Sequence, residues 1–391
     1  MVESSKIKVS IIKMDDYNDS TVTAQKVAEA IDAAGGLPEK FCPSTKVLIK
    51  PNMLTAKTPE FAATTHPEIV RAIIKYLRNF GITDITVGDS PAGTFSWDEL
   101  WDKTGFAKLA EEEKVKLIPF ENVKRLNVNN MTIPMLRELD DFDAVISVPK
   151  LKTHMLTKIT GAVKNSYGLM PGNAKSNFHG DYPSPRKMAT FIAQIFGIRK
   201  PDFIVMDAVF SMEGEGPSSG EPVNTGLLFA GIDAAAVDAC ACAAYGYTPL
   251  DIPLLVIVGK LGYGVIDMDK IEMTGDGVQK LMALNAKKSI SDMLHRFPEP
   301  IFKLSTYFLS CRPYIMPEKC RNCGLCAEAC SQKAICKAKN NKRFTVKNRG
   351  RCILCMCCVE SCPFHAIKLI NPGMKLKRIF DFIKGLFHKT T

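Results

Sequence analysis

A chain of 391 residues is long for one hydrophobic core, and two domains are its natural division. Its composition, 46% hydrophobic and 24% charged, is that of a soluble globular protein, and no run of about 18 consecutive apolar residues exists to form a spanning helix. The net charge of +10 is unevenly placed: 21 of the 51 Lys and Arg but only 6 of the 41 Asp and Glu lie in residues 283–391, which gives +15 there and −5 in residues 1–282.

The N-terminal run MVESSKIKVSIIKM has neither a basic-then-apolar signal nor a small-residue cleavage site, so a reducing cytoplasm is expected. Residues 1–280 read as an α/β domain. Lys8 to Met14 predicts a strand, and Val22 to Ala34 a helix stopped by Gly35-Gly36. Lys46 to Asn52 is a second strand, and Pro67 opens a helix to Phe80 with Ile69, Val70, Ile73, Ile74 and Leu77 on its apolar face. Further strands are expected at Asp84 to Ser90, Lys116 to Phe120, Asp143 to Lys150, Pro201 to Phe210 and Gly226 to Asp233, with helices at Trp97 to Glu112 and Ala234 to Tyr245. Strands interleaved with helices predict a mostly parallel sheet with flanking helices.

Residues 281–315 form a connector too apolar for a solvated linker, read as two helices broken at Pro298 and Pro300. In residues 316–371, Cys320, Cys323, Cys326 and Cys330 follow the spacing C-x2-C-x2-C-x3-C, and Cys352, Cys355, Cys358 and Cys362 repeat it. This ruler is that of bacterial double-cluster ferredoxins, in which each run gives three thiolates to one 4Fe–4S cluster and its fourth to the other. It predicts two 4Fe–4S clusters in a small α+β ferredoxin-like domain. Two oxidised clusters offset only about four positive charges, so the surplus favours an acidic electron-transfer partner protein or an anionic membrane surface. Nucleic acid has no supporting motif. After Pro372-Gly373, Leu376, Ile379, Phe380, Ile383 and Phe387 share one helical face among lysines, a basic amphipathic tail suited to peripheral membrane contact or to docking on protein.

The other six cysteines fall outside the ruler. Cys240 and Cys242 read as core residues, and Cys357 as a free thiol beside the cluster; Cys42, Cys311 and Cys336 have no assigned role. Ser331 follows the first run where Pro363 follows the second.

Polar residues of the α/β part gather where strands end, as ligand sites of open α/β sheets do. They are Lys50, Asn52, Asp89 and Ser90, with His66 before its helix, and then the cationic stretch holding Lys150, Lys152, His154, Lys158, Lys164, Lys175 and His179. Within an acidic domain this cluster predicts a site for an anion. Asp207, Glu213 and Asp238 are its candidate carboxylates, Asp238 with a buried structural role as the alternative. No P-loop, dinucleotide fingerprint or serine elbow accompanies it.

The runs IKPNM, THPEIVRAIIKYLRNFG, ITVGDSP, VPKLKTHMLTKITGAVKNSYGLMPG and GIDAAAVDACACAAYG resemble domain of unknown function family 362 over about residues 8–275. The resemblance implies the α/β fold and the C-terminal double-cluster module but no agreed substrate. Its motif positions here are Lys152, Thr153, His154, Thr157, Lys164, Asn165 and Gly168. His154, Lys152 and Lys164 are the expected catalytic residues, with His154 as proton donor; Lys50, Asn52, Asp89, Ser90, Thr153, Thr157, Asn165, Asp207 and Glu213 are expected to bind substrate.

The function expected is an iron–sulfur oxidoreductase that passes electrons to an anionic substrate or cofactor, flavin or other, in the Lys/His-rich cleft. An electron-transfer or docking module without its own catalysis is one alternative. A non-redox α/β enzyme, such as a racemase or hydratase with structural clusters, is the other.

Overall fold

Strands buried on both faces need apolar side chains throughout, and the runs VLIKP, ITVGD and AVISV supply them at the centre of one large sheet. The computed structural model describes residues 6–91, 95–129, 131–172, 175, 178, 181–182, 184–289, 292, 312–338, 343–347, 351–352 and 355–370. In chain order its first strands are β1 (Ile7–Lys13), β2 (Val47–Pro51), β3 (Ile85–Asp89), β4 (Lys116–Pro119), β5 (Val123–Val128) and β6 (Met131–Leu136). They continue with β7 (Ala144–Val148), β8 (Lys150–His154), β9 (Lys158–Thr160), β10 (Phe203–Glu213), β11 (Glu221–Gly231) and β12 (Ile271–Thr274).

The sheet order is β12-β1-β11-β10-β7-β2-β3-β4, with β8 and β9 attached beside β10. From β10 to β4 every pairing is parallel, and β11 runs antiparallel to both β1 and β10. The fold is therefore α/β with a mostly parallel sheet. Helices Ser20–Ala33, Pro67–Asn79, Trp97–Thr104 and Phe106–Glu113 cover one face through Val27, Ile31, Ile73, Leu77 and Phe106. Helices Pro185–Ile198, Ala234–Ala241 and Pro253–Lys260 cover the other through Phe191, Ile195, Val237 and Leu255. Each such side chain, fully buried, contributes about 2 kcal/mol.

Several elements differ from their sequence reading. The helix expected over Trp97 to Glu112 is two helices, because Gly105 takes φ +80° at the junction, where a Cβ would lie 3.2 Å from Pro67. The hairpin β5–β6 was not expected; its strands alternate only weakly, and Asn129 at φ +48° marks its turn. Helix Pro185–Ile198 was also missed, although Ser184 caps it and Pro185 fills its first turn. The strand expected to end at Lys150 divides at Pro149. The chain then bends away as β8, which pairs with β10 and folds back antiparallel onto β9.

The cysteine-rich part has its own small sheets, β13 (Arg312–Ile315) with β16 (Ile367–Ile370) and β14 (Ile335–Lys337) with β15 (Phe344–Val346). Short helices Leu325–Glu328 and Cys357–Glu360 follow the second cysteine of each run. Of the connector 281–315, residues 281–289, 292 and 312–315 are described: Asp292 pairs with Lys158 at 3.0 Å, and 312–315 are not helix but strand β13, which belongs to the cysteine-rich part. The segments around Pro298 and Pro300 in which the two connector helices were expected (290–291 and 293–311) and the tail 372–391 lie outside the described residues, as does His179. Among the described residues no helix is long and apolar enough to cross a membrane.

His66 illustrates how the fold fixes a titrating group. Its Nδ1 accepts the Glu68 amide at 3.3 Å as the cap of helix Pro67–Asn79, and its ring stacks on Tyr17 at 3.7 Å. Burial holds its pKa down at about 4 against an ordinary 6.5. The unfolded chain therefore takes the proton first, and stability falls as pH drops from about 6.5 through 4, by roughly 3 kcal/mol once complete. His66→Asn keeps a capping oxygen and removes the titration. As pH falls from 7 to 4, the urea denaturation midpoint of the wild type should drop relative to that of His66→Asn, and parallel pH profiles would contradict this assignment.

Candidate functional site

Strand β2 lies between β7 and β3; the chain passes from β2 to β3 on one side and from β7 toward β10 on the other, which opens a crevice beyond the carboxyl ends of β2 and β7. Lys50, near that end, is buried and forms an ion pair with Asp89, the last residue of β3, at 2.7 Å. Asp89 also accepts the Met53 amide at 2.7 Å. Asn165 ties the crevice together: its oxygen accepts from Lys50 Nζ at 3.1 Å and Asn52 Nδ2 at 3.4 Å, and its amide donates to Ser147 Oγ at 2.9 Å. Gly168 is needed beside them, since a Cβ there would lie 2.5 Å from both Asp89 Oδ1 and Lys50 Nζ.

The bend after Pro149 brings three more functional side chains inward. Lys150 pairs with Asp207 at 2.9 Å, both buried. Lys152 donates to Asn52 Oδ1 at 2.7 Å and to the Ala63 carbonyl at 2.6 Å. Burial and then the charge of Lys164 hold its pKa well below the ordinary lysine value. His154 Nδ1 accepts the amides of Leu156 and Thr157 at 3.1 and 3.3 Å, which leaves the ring proton of neutral His154 on Nε2.

The turn after β9 is fixed by Asp238, which accepts the amides of Ala162 and Val163 at 2.6 and 3.0 Å. A Cβ on Gly161 would stand 2.2 Å from that carboxylate, so only glycine fits. Asp238 thus has the structural role, holding the short helix Ala162–Asn165 that carries Lys164. Burial lowers the pKa of Lys164 to about 8 and of Lys175 to about 7, and Lys175 donates to the Ser90 carbonyl at 2.5 Å.

The cysteine module closes this crevice. Met356, after the second cysteine of the second run, packs on Met155 of the β8–β9 turn. Cys355, Cys357 and Glu360 share with Asn52, Leu54, Asp89, Ser90, His154, Thr160, Lys164, Asn165, Tyr167, Gly168 and Lys175 a cavity of about 590 Å³ including its mouth. The carboxyl of Glu360 is buried there; burial raises its pKa, while Lys164, Lys152, Lys175 and Lys57 act against that. Thr160 Oγ1 is buried and has no hydrogen-bond partner among the described residues.

Two further cavities are lined by sulfur. One, of about 300 Å³ including its mouth, has Cys320, Cys323, Cys326 and Cys362 in its wall; the other, of about 390 Å³, has Cys330, Cys352, Cys355 and Cys358. Each takes three cysteines from one run and the fourth from the other. Burial, then Cys362, Cys323 and Cys320, push the Cys326 thiol up to about 12, and burial with its own neighbours pushes Cys358 up as well. Four ionisable sulfurs around one apolar space are a donor set for a soft, positively charged metal core, so these residues fit an iron–sulfur cluster. Cys330 and Cys362 each accept the amide of the residue four further on, Ala334 at 3.2 Å and Ala366 at 3.3 Å. The geometry is the same although Ser331 stands where the other run has Pro363.

Among the residues expected from sequence, the structure brings Asn52, Asp89, Ser90, His154, Lys164 and Asn165 into the wall of one cavity, with Lys50 and Lys152 directly behind it. Four others are engaged elsewhere and do not line it. Thr153 Oγ1 accepts the Gly216 amide, Thr157 Oγ1 donates to the Ile159 carbonyl, Asp207 holds Lys150 and Tyr17, and Glu213 pairs with Lys287. Sequence reasoning missed Glu360, Tyr167 and Thr160. Glu360 had one available signal, as one of only three carboxylates in residues 316–371. Cys357, expected near a cluster, also faces the cleft. Cys240 and Cys242 are core residues, Cys42 is exposed, and Cys336 is partly exposed.

The chain belongs to the family described as domain of unknown function DUF362, whose model matches residues 47–243. A 4Fe-4S binding domain matches residues 345–368, and the protein is an iron–sulfur protein. It is 27% identical over 257 residues to a thylakoid-associated protein of Synechocystis sp., covering 65% of this chain and 79% of that one. Among solved structures it is similar to the lactate racemase apoprotein of Thermoanaerobacterium thermosaccharolyticum, with a TM-score of 0.38 and 14% identity over 58% of this chain. The match spans 54% of the racemase, about half its length.

The Lys50–Asp89 pair gives a direct test of the buried frame. Asp89→Asn leaves Lys50 charged and unmatched, and should cost about 3–5 kcal/mol in chemical denaturation. The double variant Lys50→Met, Asp89→Leu removes both charges and should recover more than half of that loss. A double variant no more stable than Asp89→Asn would show that the pair does not act as a unit.

Proposed function

We propose that this protein binds two 4Fe–4S clusters and is an oxidoreductase that delivers electrons to a small anion held in the Lys/His-rich cleft. One observation carries the reading: Cys355 lines both a four-cysteine cavity and the cleft, so the redox site and the candidate substrate site share a wall. Clusters of this class accept and release single electrons.

The chain's own residues supply the rest. Lys164 and Lys175 attract the anion, and Thr160 Oγ1 offers it a hydrogen bond. His154, its Nδ1 already occupied, offers the proton on Nε2. Asn165 and the Lys50–Asp89 pair keep the wall rigid, and the Met155–Met356 contact packs the cysteine module against the β8–β9 turn. Electrons come from an acidic electron-transfer partner, matched to a module whose Lys319, Arg321, Lys337, Arg343, Lys347 and Lys368 are all exposed. The same basic charge, with the C-terminal tail, supports contact with an anionic membrane surface.

Anaerobic reconstitution should give the iron and acid-labile sulfide of two clusters, and Cys358→Ser should lose those of one. A panel of small carboxylates and phosphates, tested by thermal shift on the loaded protein, should contain an anion that stabilises it by about 3 kcal/mol at a hundredfold excess over Kd, a rise of several degrees in Tm. Lys164→Met should abolish that rise with iron content unchanged. One cluster in the wild type, or anion stabilisation indifferent to Lys164→Met, would refute the reading.

A further inference from the structure

The two halves of the cysteine module repeat at an offset of 32 residues, so each position in one has a counterpart in the other. Gly324 and Met356, after the second cysteines, take φ +89° and +66°. Lys333 and His365, three residues after the fourth cysteines, take φ +48° and +46°. With backbones this alike, any difference between the two sulfur-lined sites comes from what surrounds them.

The surroundings are unlike. Glu360 is buried in the cleft, whereas its counterpart Glu328 is exposed. Cys355 is partly covered and lines the cleft, whereas its counterpart Cys323 is exposed. The α/β domain therefore caps the site of Cys330, Cys352, Cys355 and Cys358 and leaves the site of Cys320, Cys323, Cys326 and Cys362 at the surface. At that surface, Arg321 and Phe364 line the cavity, and Phe364 is 43% exposed. Lys319, also exposed, immediately precedes Cys320 in the chain. Glu318 is the carboxylate of this turn, and the rim is net positive around an apolar centre.

We propose that the site of Cys320, Cys323, Cys326 and Cys362 is the entry port for electrons, that its rim of Lys319, Arg321 and Phe364 docks an acidic one-electron carrier protein, and that the cleft-facing site is the terminus. The proposal rests on the reading that both sites hold clusters. Each docking event oxidises the carrier by one electron and reduces the entry site by one, with no bond made or broken and no proton moved. Charge attraction speeds the encounter, and the small apolar centre leaves the complex weak enough to part between single-electron transfers.

The test is stopped-flow reduction of the loaded protein at low ionic strength, with a reduced acidic 2Fe–2S ferredoxin as the probe. The double variant K319E/R321E should be reduced roughly tenfold more slowly, with the difference shrinking as salt rises. K333E, a single charge reversal beside the other site, should leave the rate unchanged. Iron, sulfide and the spectrum of each dithionite-reduced variant are measured in parallel, so a missing cluster in the wild type refutes the two-cluster reading itself. With both clusters present, an unaltered rate in K319E/R321E, or slowing by K333E instead, overturns the entry port alone.

Discussion

The structure turns on the burial of ammonium groups. Lys50, Lys150 and Lys152 are among the most completely buried side chains of the chain, and Lys164 and Lys175 stand in the same cleft wall. A charge taken out of water is tolerated only when paired or hydrogen-bonded. Lys50 and Lys150 meet that condition within the sheet, through Asp89 and Asp207 from neighbouring strands. Lys152 depends on an amide oxygen and a carbonyl, and Lys175 on the carbonyls of Ser90 and Pro91. The remaining positive field faces Glu360, which belongs to the cysteine module. The electrostatics of the α/β part are thus completed by a residue more than a hundred positions away in sequence.

That constraint accounts for the local oddities of the chain. Glycine stands at 161 and 168 because a carboxylate and an ion pair occupy the space that a side chain would need. Pro149 breaks what would otherwise be one strand, and the bend turns three successive inward positions, Lys150, Lys152 and His154, toward the crevice. Asp238, on the neighbouring helix of the same layer, fixes the turn that carries Lys164.

Much of this was legible in the sequence. The strand ends at Lys50, Asp89 and Lys150 announced a crevice, because polar residues closing apolar runs in an α/β pattern gather at the carboxyl edge. The cysteine spacing predicted that each run lends its fourth cysteine to the other, and the two sulfur-lined cavities have that composition. What was not legible arises from contacts distant in sequence. Nothing in CMCCVE says that Glu360 lies against Lys164, and nothing in SMEGEG says that Glu213 turns away to Lys287. Spacing reports which side chains share an element, whereas the register between elements is set by tertiary packing. Thr153 and Thr157 show the same limit, as motif positions whose hydroxyls bind backbone.

If both cysteine sites hold clusters, as proposed, and the cleft forms one functional unit with the second of them, a charge removed from the cleft must be felt by one cluster and not the other. The direct measurement is an anaerobic redox titration of the loaded wild type and Lys164→Met, followed by electron paramagnetic resonance. Removing a nearby positive charge disfavours the extra electron. One of the two midpoint potentials should move to a lower value while the other stays in place. Two unchanged potentials, or two shifted equally, would contradict the account.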